Sequence, residues 1–197
     1  MSLLSGERQV APDIAGISPD HVNRYRLASM LLRGTILDVA CGVGYGAWTL
    51  SQSREISQVY AVDIDKEAIE YARQNYHDPK IEFSVKNLDT DPLPASLDGA
   101  TALEIIEHIP RPEILLQHLC QHCPTLITSV PNENVIPFGS GNFPFHLRHY
   151  TWDEFEELVT THYGNVKEYY FQKNKRPGEL YKGKEEGRTL IIHAEAS

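Results

Sequence analysis

Short apolar runs alternate with amphipathic segments along most of this 197-residue chain. Apolar runs of strand length predict buried β-strands, and segments in which apolar residues recur every three or four positions predict helices. The predicted strands are 35–39, 58–62, 81–85, 98–104 and 124–130, and the predicted helices are 44–53, 66–76 and 111–122. This alternation predicts an α/β fold with a mostly parallel sheet and helices on both faces.

The two ends of the chain extend this pattern. Ser18 followed by Pro19 predicts the start of a leading helix, whose apolar stripe stops at Gly34. Near the other end, TWDEFEELVTTHYG predicts a capped helix, and strands follow near 165–172 and 188–195. The sequence between these two strands predicts a charged hairpin or a surface loop.

A single domain spanning residues 1–197 is expected at this length. Residues 1–33 are its predicted N-terminal helical segment. Residues 131–150 interrupt the strand–helix pattern with a stretch rich in Gly, Pro, Asn and aromatic side chains. Because loops of this length in compact domains are usually functional, residues 131–150 are predicted to form a lid or substrate loop.

The most informative segment is ILDVACGVGYG, residues 36–46. A predicted strand reaches Asp38 and is followed by Gly42, Gly44 and Gly46 before a helix begins. Glycine allows positive φ and close approach of a ligand, so this turn is typical of a site for a nucleotide-like cofactor. The turn lacks the Gly-Lys-Ser/Thr of NTPases, and its alternate glycines are not the Gly-x-Gly-x-x-Gly of dinucleotide enzymes.

Polar residues also follow the next three predicted strands. They are Asp63 with Ile64, then Asn87, Leu88 and Asp89, and then Glu104, Glu107 and His108. Ligands of parallel sheets bind beyond the carboxyl ends of the strands, where a carboxylate such as Asp63 can accept hydrogen bonds from a ribose diol. Asp63 has an alternative role as a helix N-cap, for which Asp65 is better placed, and Asp89 has an alternative role as a plain turn residue.

These four segments, in this order, resemble the motifs of class I S-adenosylmethionine-dependent methyltransferases. DVACGVGYG is similar to the first motif, with Ala40 where its first glycine usually stands, and VDID, NLDTDPLP and ALEIIEH are similar to the next three. The resemblance implies a Rossmann-like sheet of seven strands with a C-terminal antiparallel hairpin, and S-adenosylmethionine as the cofactor. The implied cofactor-binding residues, with Asp38 chiefly organising the loop, are Asp38, Ala40, Gly42, Gly44, Asp63, Ile64, Asn87, Leu88, Asp89 and Glu104.

The chemistry of such a site is in-line attack on a sulfonium methyl carbon, with S-adenosylhomocysteine leaving. The protein then chiefly orients the reactants and, for a hydroxyl acceptor, removes a proton. Candidate catalytic residues lie near the fourth strand end and in the lid: Glu107, His108, His146 and His149.

Three of the residues after the fourth strand also have the chemistry of metal ligands. Glu104, Glu107 and His108 offer oxygen and nitrogen donors that suit Mg²⁺, Mn²⁺ or Zn²⁺ if they converge. The pattern resembles the Glu-x-x-Glu-His of metal-dependent small-RNA terminal 2′-O-methyltransferases and of ubiquinone-pathway O-methyltransferases, which implies His146 as a distal ligand. The same spacing occurs in class I methyltransferases with no known metal, so both alternatives stay open.

Composition narrows the class of partner. The chain has 18 basic and 27 acidic residues, and its net charge of −9 disfavours broad electrostatic binding of nucleic acid. Three cysteines do not favour a disulfide framework, and the HLCQHC segment is not favoured as a zinc site because it ends a helix that a strand follows at once. The sequence has no membrane-length apolar stretch and no signal-like N-terminus, so a cytoplasmic location without a membrane partner is expected.

The predicted function is methyl transfer to a hydroxyl of a small molecule or sugar, because the N-terminal and lid segments resemble a bacterial and phage branch that modifies such compounds. An alternative is metal-dependent methylation of the 3′-terminal 2′-hydroxyl of RNA, which the acidic charge disfavours. A further alternative is a non-catalytic S-adenosylmethionine-binding regulatory protein, which would not need the histidines of the lid. A nicotinamide dehydrogenase is a weaker alternative. The sequence predicts no oligomeric state.

Overall fold

The computed structural model describes residues 8–88, 90–94, 96–173 and 178–197. Its helices are α1 (Pro19–Leu31), α2 (Tyr45–Ser51), α3 (Lys66–Asn75), α4 (Pro112–His122) and α5 (Trp152–Tyr163). Its strands are β1 (Gly34–Val39), β2 (Ile56–Asp63), β3 (Ile81–Val85), β4 (Gly99–Leu103), β5 (Thr125–Pro131), β6 (Gly164–Gln172), β7 (Leu180–Lys182) and β8 (Thr189–Ala196). Short 3₁₀ turns form at Ile14–Gly16 and Ile106–His108.

The predicted helix starts are confirmed by their capping contacts. The Ser18 hydroxyl accepts from the backbone N–H of Asp20, and the Asp65 carboxylate accepts from the N–H of Glu67. At α5 the Thr151 side chain accepts from the Glu154 N–H, and the Glu154 carboxylate accepts from the Thr151 N–H. Such caps satisfy donors that the first helical turn leaves unpaired. Within the described residues, no helix combines the length and the apolar character that crossing a membrane requires.

The strands form one mixed sheet in the order β3-β2-β1-β4-β5-β8-β6-β7. Strands β1 to β5 pair in parallel, whereas β8 is antiparallel to both β5 and β6. The α/β class with a C-terminal antiparallel hairpin is therefore confirmed.

The predicted count of seven strands is wrong, because a charged surface segment contributes an eighth. Strand β7 pairs antiparallel with β6 at the sheet edge. The Tyr181 ring of β7 stacks on the Phe171 ring of β6, with centroids 5.3 Å apart. An aromatic pair thus stabilises a three-residue strand inside sequence dominated by charged residues.

The core lies on both faces of the central strands. Ile36 of β1 packs on the face covered by α2, where Leu50 is fully buried. The next residue, Leu37, packs on the opposite face, which is covered by α5 and where Phe155 is fully buried. Burial of each such side chain contributes about 1.5–3 kcal/mol, so side chains on both faces anchor the strands. These anchored strands hold the loops at their carboxyl ends in place.

The strand order changes direction at β1, since β2 lies on one side of β1 and β4 on the other. Such a switch point opens a crevice at the carboxyl edge of the sheet, where ligands of α/β proteins bind. The loops after β1, β2 and β4 meet there, and residues 131–150 lie beside them.

Candidate active site

A cavity of about 920 Å³ opens at this carboxyl edge. Its volume is in the upper part of the range for ligand sites, roughly 300–1,000 Å³. Seven of the predicted cofactor-binding residues line it: Ala40, Gly42, Asp63, Ile64, Asn87, Leu88 and Glu104. The predicted catalytic residues Glu107, His108 and His146 also line it. Of the remaining cofactor predictions, Asp38 and Gly44 lie outside the lining, and Asp89 lies outside the described residues.

The three glycines of the turn have different tasks. Gly42 lines the cavity with its backbone. Gly44 has φ of 94°, and a Cβ there would lie 2.7 Å from the Ala72 Cβ. A Cβ on Gly46 would lie 2.1 Å from Cζ of Tyr25. Gly44 and Gly46 are therefore required by packing, whereas Gly42 is favoured by its positive φ of 56°.

Asp63 is held in place by backbone donors of two loops. Its side chain is 5% exposed, and Oδ2 accepts from the Gly42 N–H at 2.8 Å while Oδ1 accepts from the Asp65 N–H at 2.9 Å. The Arg8 guanidinium lies 3.6 Å from Oδ1 and pairs with Asp65 at 2.7 Å. Asp65, not Asp63, caps α3, and Asp63 lines the cavity.

Asp38 lies beneath the glycine turn and is fully buried. Its Oδ1 accepts from the Tyr25 hydroxyl at 3.1 Å and from the Thr101 hydroxyl at 2.6 Å. Burial raises the pKa of Asp38 to about 7, although these two hydrogen bonds act in the opposite direction. This carboxyl ties α1 and β4 to the end of β1.

Glu104 begins the connection after β4 with φ of 53°, in the left-handed region that non-glycine residues rarely adopt. Its Oε1 accepts from the Ser129 hydroxyl at 2.8 Å. Burial opposes ionisation of Glu104, but the Arg24 guanidinium, the Ser129 hydroxyl and nearby imidazoles outweigh it, so its pKa lies below the usual value. Glu104 is therefore a fixed anion at the wall between the glycine turn and the lid.

Glu107, His108 and His146 bring one potential ligand atom each within 4.8 Å of one another. Glu107 is fully buried, and its Oε1 lies 3.9 Å from Nε2 of His108. Nδ1 of His108 is 3.1 Å from the carbonyl oxygen of Phe145. Because a carbonyl oxygen only accepts hydrogen bonds, this nitrogen carries a proton and donates it. A carboxylate and two imidazoles that converge in this way suit a divalent transition metal. Glu104 does not belong to this group.

Residues 131–150, the predicted lid, line part of the cavity and are tied to the turn after β4. The Leu147 N–H donates to the Glu107 carbonyl at 2.8 Å, and Arg148 Nη2 donates to the Pro110 carbonyl at 3.0 Å. These bonds bring His146 to Glu107 and His108, although 38 sequence positions separate His146 from His108. His149 is buried behind His146 and does not line the cavity.

The comparison with protein families agrees with this geometry. The model of the methyltransferase domain family matches residues 36–124, which include the glycine turn and the ends of β2 and β4. The chain is a class I S-adenosylmethionine-dependent methyltransferase. The cofactor of this family is S-adenosylmethionine. No curated protein matches the chain.

Solved structures resemble the methyltransferase over nearly its whole length. One comes from the complex between the Haloferax volcanii Trm112 methyltransferase activator and a putative methyltransferase. The two chains are 20% identical, the match covers 89% of each, and the TM-score is 0.72. The methyltransferase domain of bacterial CtHen1 is 22% identical, with coverage of 88% and 99% and a TM-score of 0.66. An S-adenosylmethionine-dependent methyltransferase from Clostridium acetobutylicum is 12% identical, with coverage of 91% and 90% and a TM-score of 0.67. At these identities the likeness shows the fold.

The sequence did not predict the basic residues that line the methyltransferase cavity, which are Arg8, Arg24, Lys86, Lys173 and Arg188. Arg24 is only 4% exposed and donates to Oε1 of Gln172 at 2.6 Å, and Arg8 lies over Asp63. Both line the cavity. Neither belongs to a cofactor motif, and the pattern of α1 gives no indication that Arg24 is buried. The only usable signal was a basic residue one position before Tyr25 on a helix expected to pack beside the cofactor.

Proposed function

We propose that this methyltransferase transfers the methyl group to a hydroxyl, most directly that of a small molecule or sugar, with a divalent cation held beside the acceptor. The observation that carries the proposal is the convergence of Glu107, His108 and His146 at the wall of the cofactor cavity. A hydroxyl is a weak nucleophile until it loses its proton, and a bound metal ion makes that loss easier.

The cofactor occupies the side of the cavity formed by the glycine turn and the ends of β2 and β4. Asp63 receives the ribose hydroxyls, because its carboxylate is buried and oriented by two backbone donors. Ile64, 69% exposed at the cavity wall, supplies an apolar surface for the adenine, with Asn87 and Leu88 on the neighbouring loop. Glu104 faces the methionine part, where a fixed anion attracts the ammonium group.

The acceptor occupies the side formed by the lid. Glu107, His108 and His146 fit a divalent cation by donor type and spacing, and Glu104 is a neighbouring anion that favours positive charge. Such a cation, when bound, lowers the pKa of an acceptor hydroxyl. The side chains of the lid hold the acceptor in line with the methyl carbon. The hydroxyl proton passes to solvent in the open cavity, and the oxygen bonds to the methyl carbon as the carbon–sulfur bond breaks and S-adenosylhomocysteine leaves.

A second candidate acceptor is the 3′-terminal 2′-hydroxyl of RNA. It is favoured by the same ligand cluster, together with the likeness of the fold to the methyltransferase domain of bacterial CtHen1. The net charge of −9 weighs against a long nucleic-acid interface. The regulatory alternative is disfavoured because the lid brings histidines to the cofactor cavity, which cofactor binding alone does not require.

Methyl-transfer assays with labelled S-adenosylmethionine test the proposal. Sugars and small hydroxyl compounds are compared with RNA oligonucleotides that end in a ribose or in a 2′-deoxyribose. Each acceptor is assayed after chelation and again with added Mg²⁺, Mn²⁺ or Zn²⁺. We expect transfer that requires the cation and falls at least about 10²-fold in Glu107→Gln.

The matched control is Glu113→Gln, which removes an exposed carboxylate in the first turn of α4. It should leave transfer unchanged. Transfer only to the ribose-ended oligonucleotide would replace the small-molecule acceptor with RNA. Transfer that survives chelation and the Glu107→Gln substitution would contradict the role of the metal.

A further inference from the structure

A chain of hydrogen bonds leads from the lid backbone to the ligand cluster. Nδ1 of His149 lies 2.5 Å from the carbonyl oxygen of Ile136, and Nε2 of His149 lies 2.7 Å from Nδ1 of His146. His149 is 6% exposed, so solvent has little access to this chain.

The hydrogen-bonding capacity of the Ile136 carbonyl and of the His149 and His146 imidazoles determines which ring nitrogens carry a proton. A carbonyl oxygen only accepts, so Nδ1 of His149 carries a proton and donates it. In a neutral imidazole the other nitrogen is then an acceptor, so Nε2 of His149 accepts from Nδ1 of His146. His146 therefore carries its proton on Nδ1, and its lone pair is on Nε2.

We propose that His149 is a positioning residue that fixes the tautomer of His146 and so presents the Nε2 lone pair of His146 to the site shared with Glu107 and His108. This inference rests on the proposed metal-assisted function and deepens it. His108 has the matching arrangement, since its Nδ1 faces the Phe145 carbonyl and its Nε2 faces Glu107. Both imidazoles thus have their outer nitrogen bound to the lid, as metal-ligating histidines usually do.

Ring packing holds the same orientation. Phe143 stacks on His146 with centroids 4.8 Å apart and planes at 29°, and it meets His149 edge-on at 5.3 Å. Ile136, Phe143 and His149 all belong to residues 131–150. The fold of the lid therefore determines the tautomer of His146. A lid that loses the bond to Ile136 also loses the tautomer that suits a metal.

The test compares His149→Ala and His149→Gln in the full-length protein. Calorimetry with Mn²⁺ alone should show binding weakened roughly 10- to 100-fold in His149→Ala. The Oε1 atom of a glutamine can accept from Nδ1 of His146, so His149→Gln should recover most of the affinity. His122→Gln, which changes an exposed histidine on α4, should bind Mn²⁺ like the wild type. S-adenosylhomocysteine binding should stay the same in all four proteins, which reports that each is folded.

Nitrogen-15 NMR of the metal-free protein reads the tautomer directly. At about pH 8.5, well above the ordinary histidine pKa of about 6.5, the wild type should show His146 protonated on Nδ1, and His149→Ala should show a mixture. A wild-type His146 protonated on Nε2, or Mn²⁺ affinity unchanged in His149→Ala, would overturn the inference. If the wild type binds no metal but shows the expected tautomer, the proposed function fails while the positioning role of His149 stands.

Discussion

The two sides of the cavity are built in different ways. On the cofactor side, backbone donors of neighbouring loops hold a buried carboxylate: Asp63 accepts from the N–H groups of Gly42 and Asp65. On the acceptor side, Glu107 and His108 converge with His146 from a distant part of the sequence. The lid, which carries His146, exposes apolar groups such as Phe138 at 50% and Leu147 at 46%. The cofactor site therefore depends on local sequence around the sheet, whereas the acceptor site depends on how the lid folds.

The sharpest test of this separation is Glu107→Gln. The substitution keeps the volume of a fully buried side chain but removes its charge. We expect kcat/KM for methyl transfer to fall roughly 10²- to 10³-fold, about 3–4 kcal/mol of transition-state stabilisation, because the metal site loses its carboxylate ligand. The dissociation constant of S-adenosylhomocysteine, measured by calorimetry, should change by less than about threefold. A large loss of cofactor binding would show that the two sides are not separate.

The converse test is Asp63→Asn. Hydrogen bonds to a charged group contribute about 1.5–3 kcal/mol each, so losing the carboxylate should weaken S-adenosylhomocysteine roughly 10²-fold. Mn²⁺ binding should be unaffected. Asp65→Asn is the matched control, because asparagine also caps helices well and the residue lies only two positions away. Equal losses in both variants would contradict the special role of Asp63.

The same contrast explains which features of the fold and of the site could be predicted from the sequence. Alternating apolar runs predicted the sheet, and the strand-end residues Asp63 and Glu104 could be placed because parallel strands must bring their carboxyl ends together. The bonds that seat the lid, such as Leu147 to Glu107, connect distant segments and have no local pattern. The buried position of Arg24 and the short strand β7 were likewise missed, since both depend on contacts with residues far along the chain.

Asp38→Asn tests the buried network below the cofactor side. The folded-state pKa of Asp38 is raised from 3.8 to about 7, so the native state retains a proton that the unfolded chain releases. The contribution of this carboxyl to stability is complete below about pH 3.8 and is lost as the pH rises through about 7. Between pH 5 and pH 6, urea unfolding should show the variant gaining about 1.4 kcal/mol relative to the wild type, because stability changes by about this much per pH unit between the two pKa values. If the free energy of unfolding changed with pH by the same amount in both proteins, the buried environment of Asp38 would be contradicted.

The smallest expected effect is that of Ala40→Gly in the turn after β1. Ala40 has φ of 53°, which costs an L-residue about 1–2 kcal/mol, while glycine loses about 0.5–1 kcal/mol of chain entropy. The free energy of unfolding should rise by up to about 1 kcal/mol, measured by urea denaturation. Ala47→Gly, inside α2, is the control and should destabilise by about 1 kcal/mol. Destabilisation of the same size at both positions would contradict the strained backbone at Ala40.

In the proposed enzyme the cofactor site is complete on its own, and its independence from the metal site that the lid assembles can be measured. The most direct test is calorimetric titration of chelator-treated wild type and His146→Ala, first with S-adenosylhomocysteine and then with Mn²⁺. We expect both proteins to bind S-adenosylhomocysteine equally without metal and Mn²⁺ to bind strongly only to the wild type. Nucleoside binding that requires the metal, or equal Mn²⁺ binding by both proteins, would contradict this expectation.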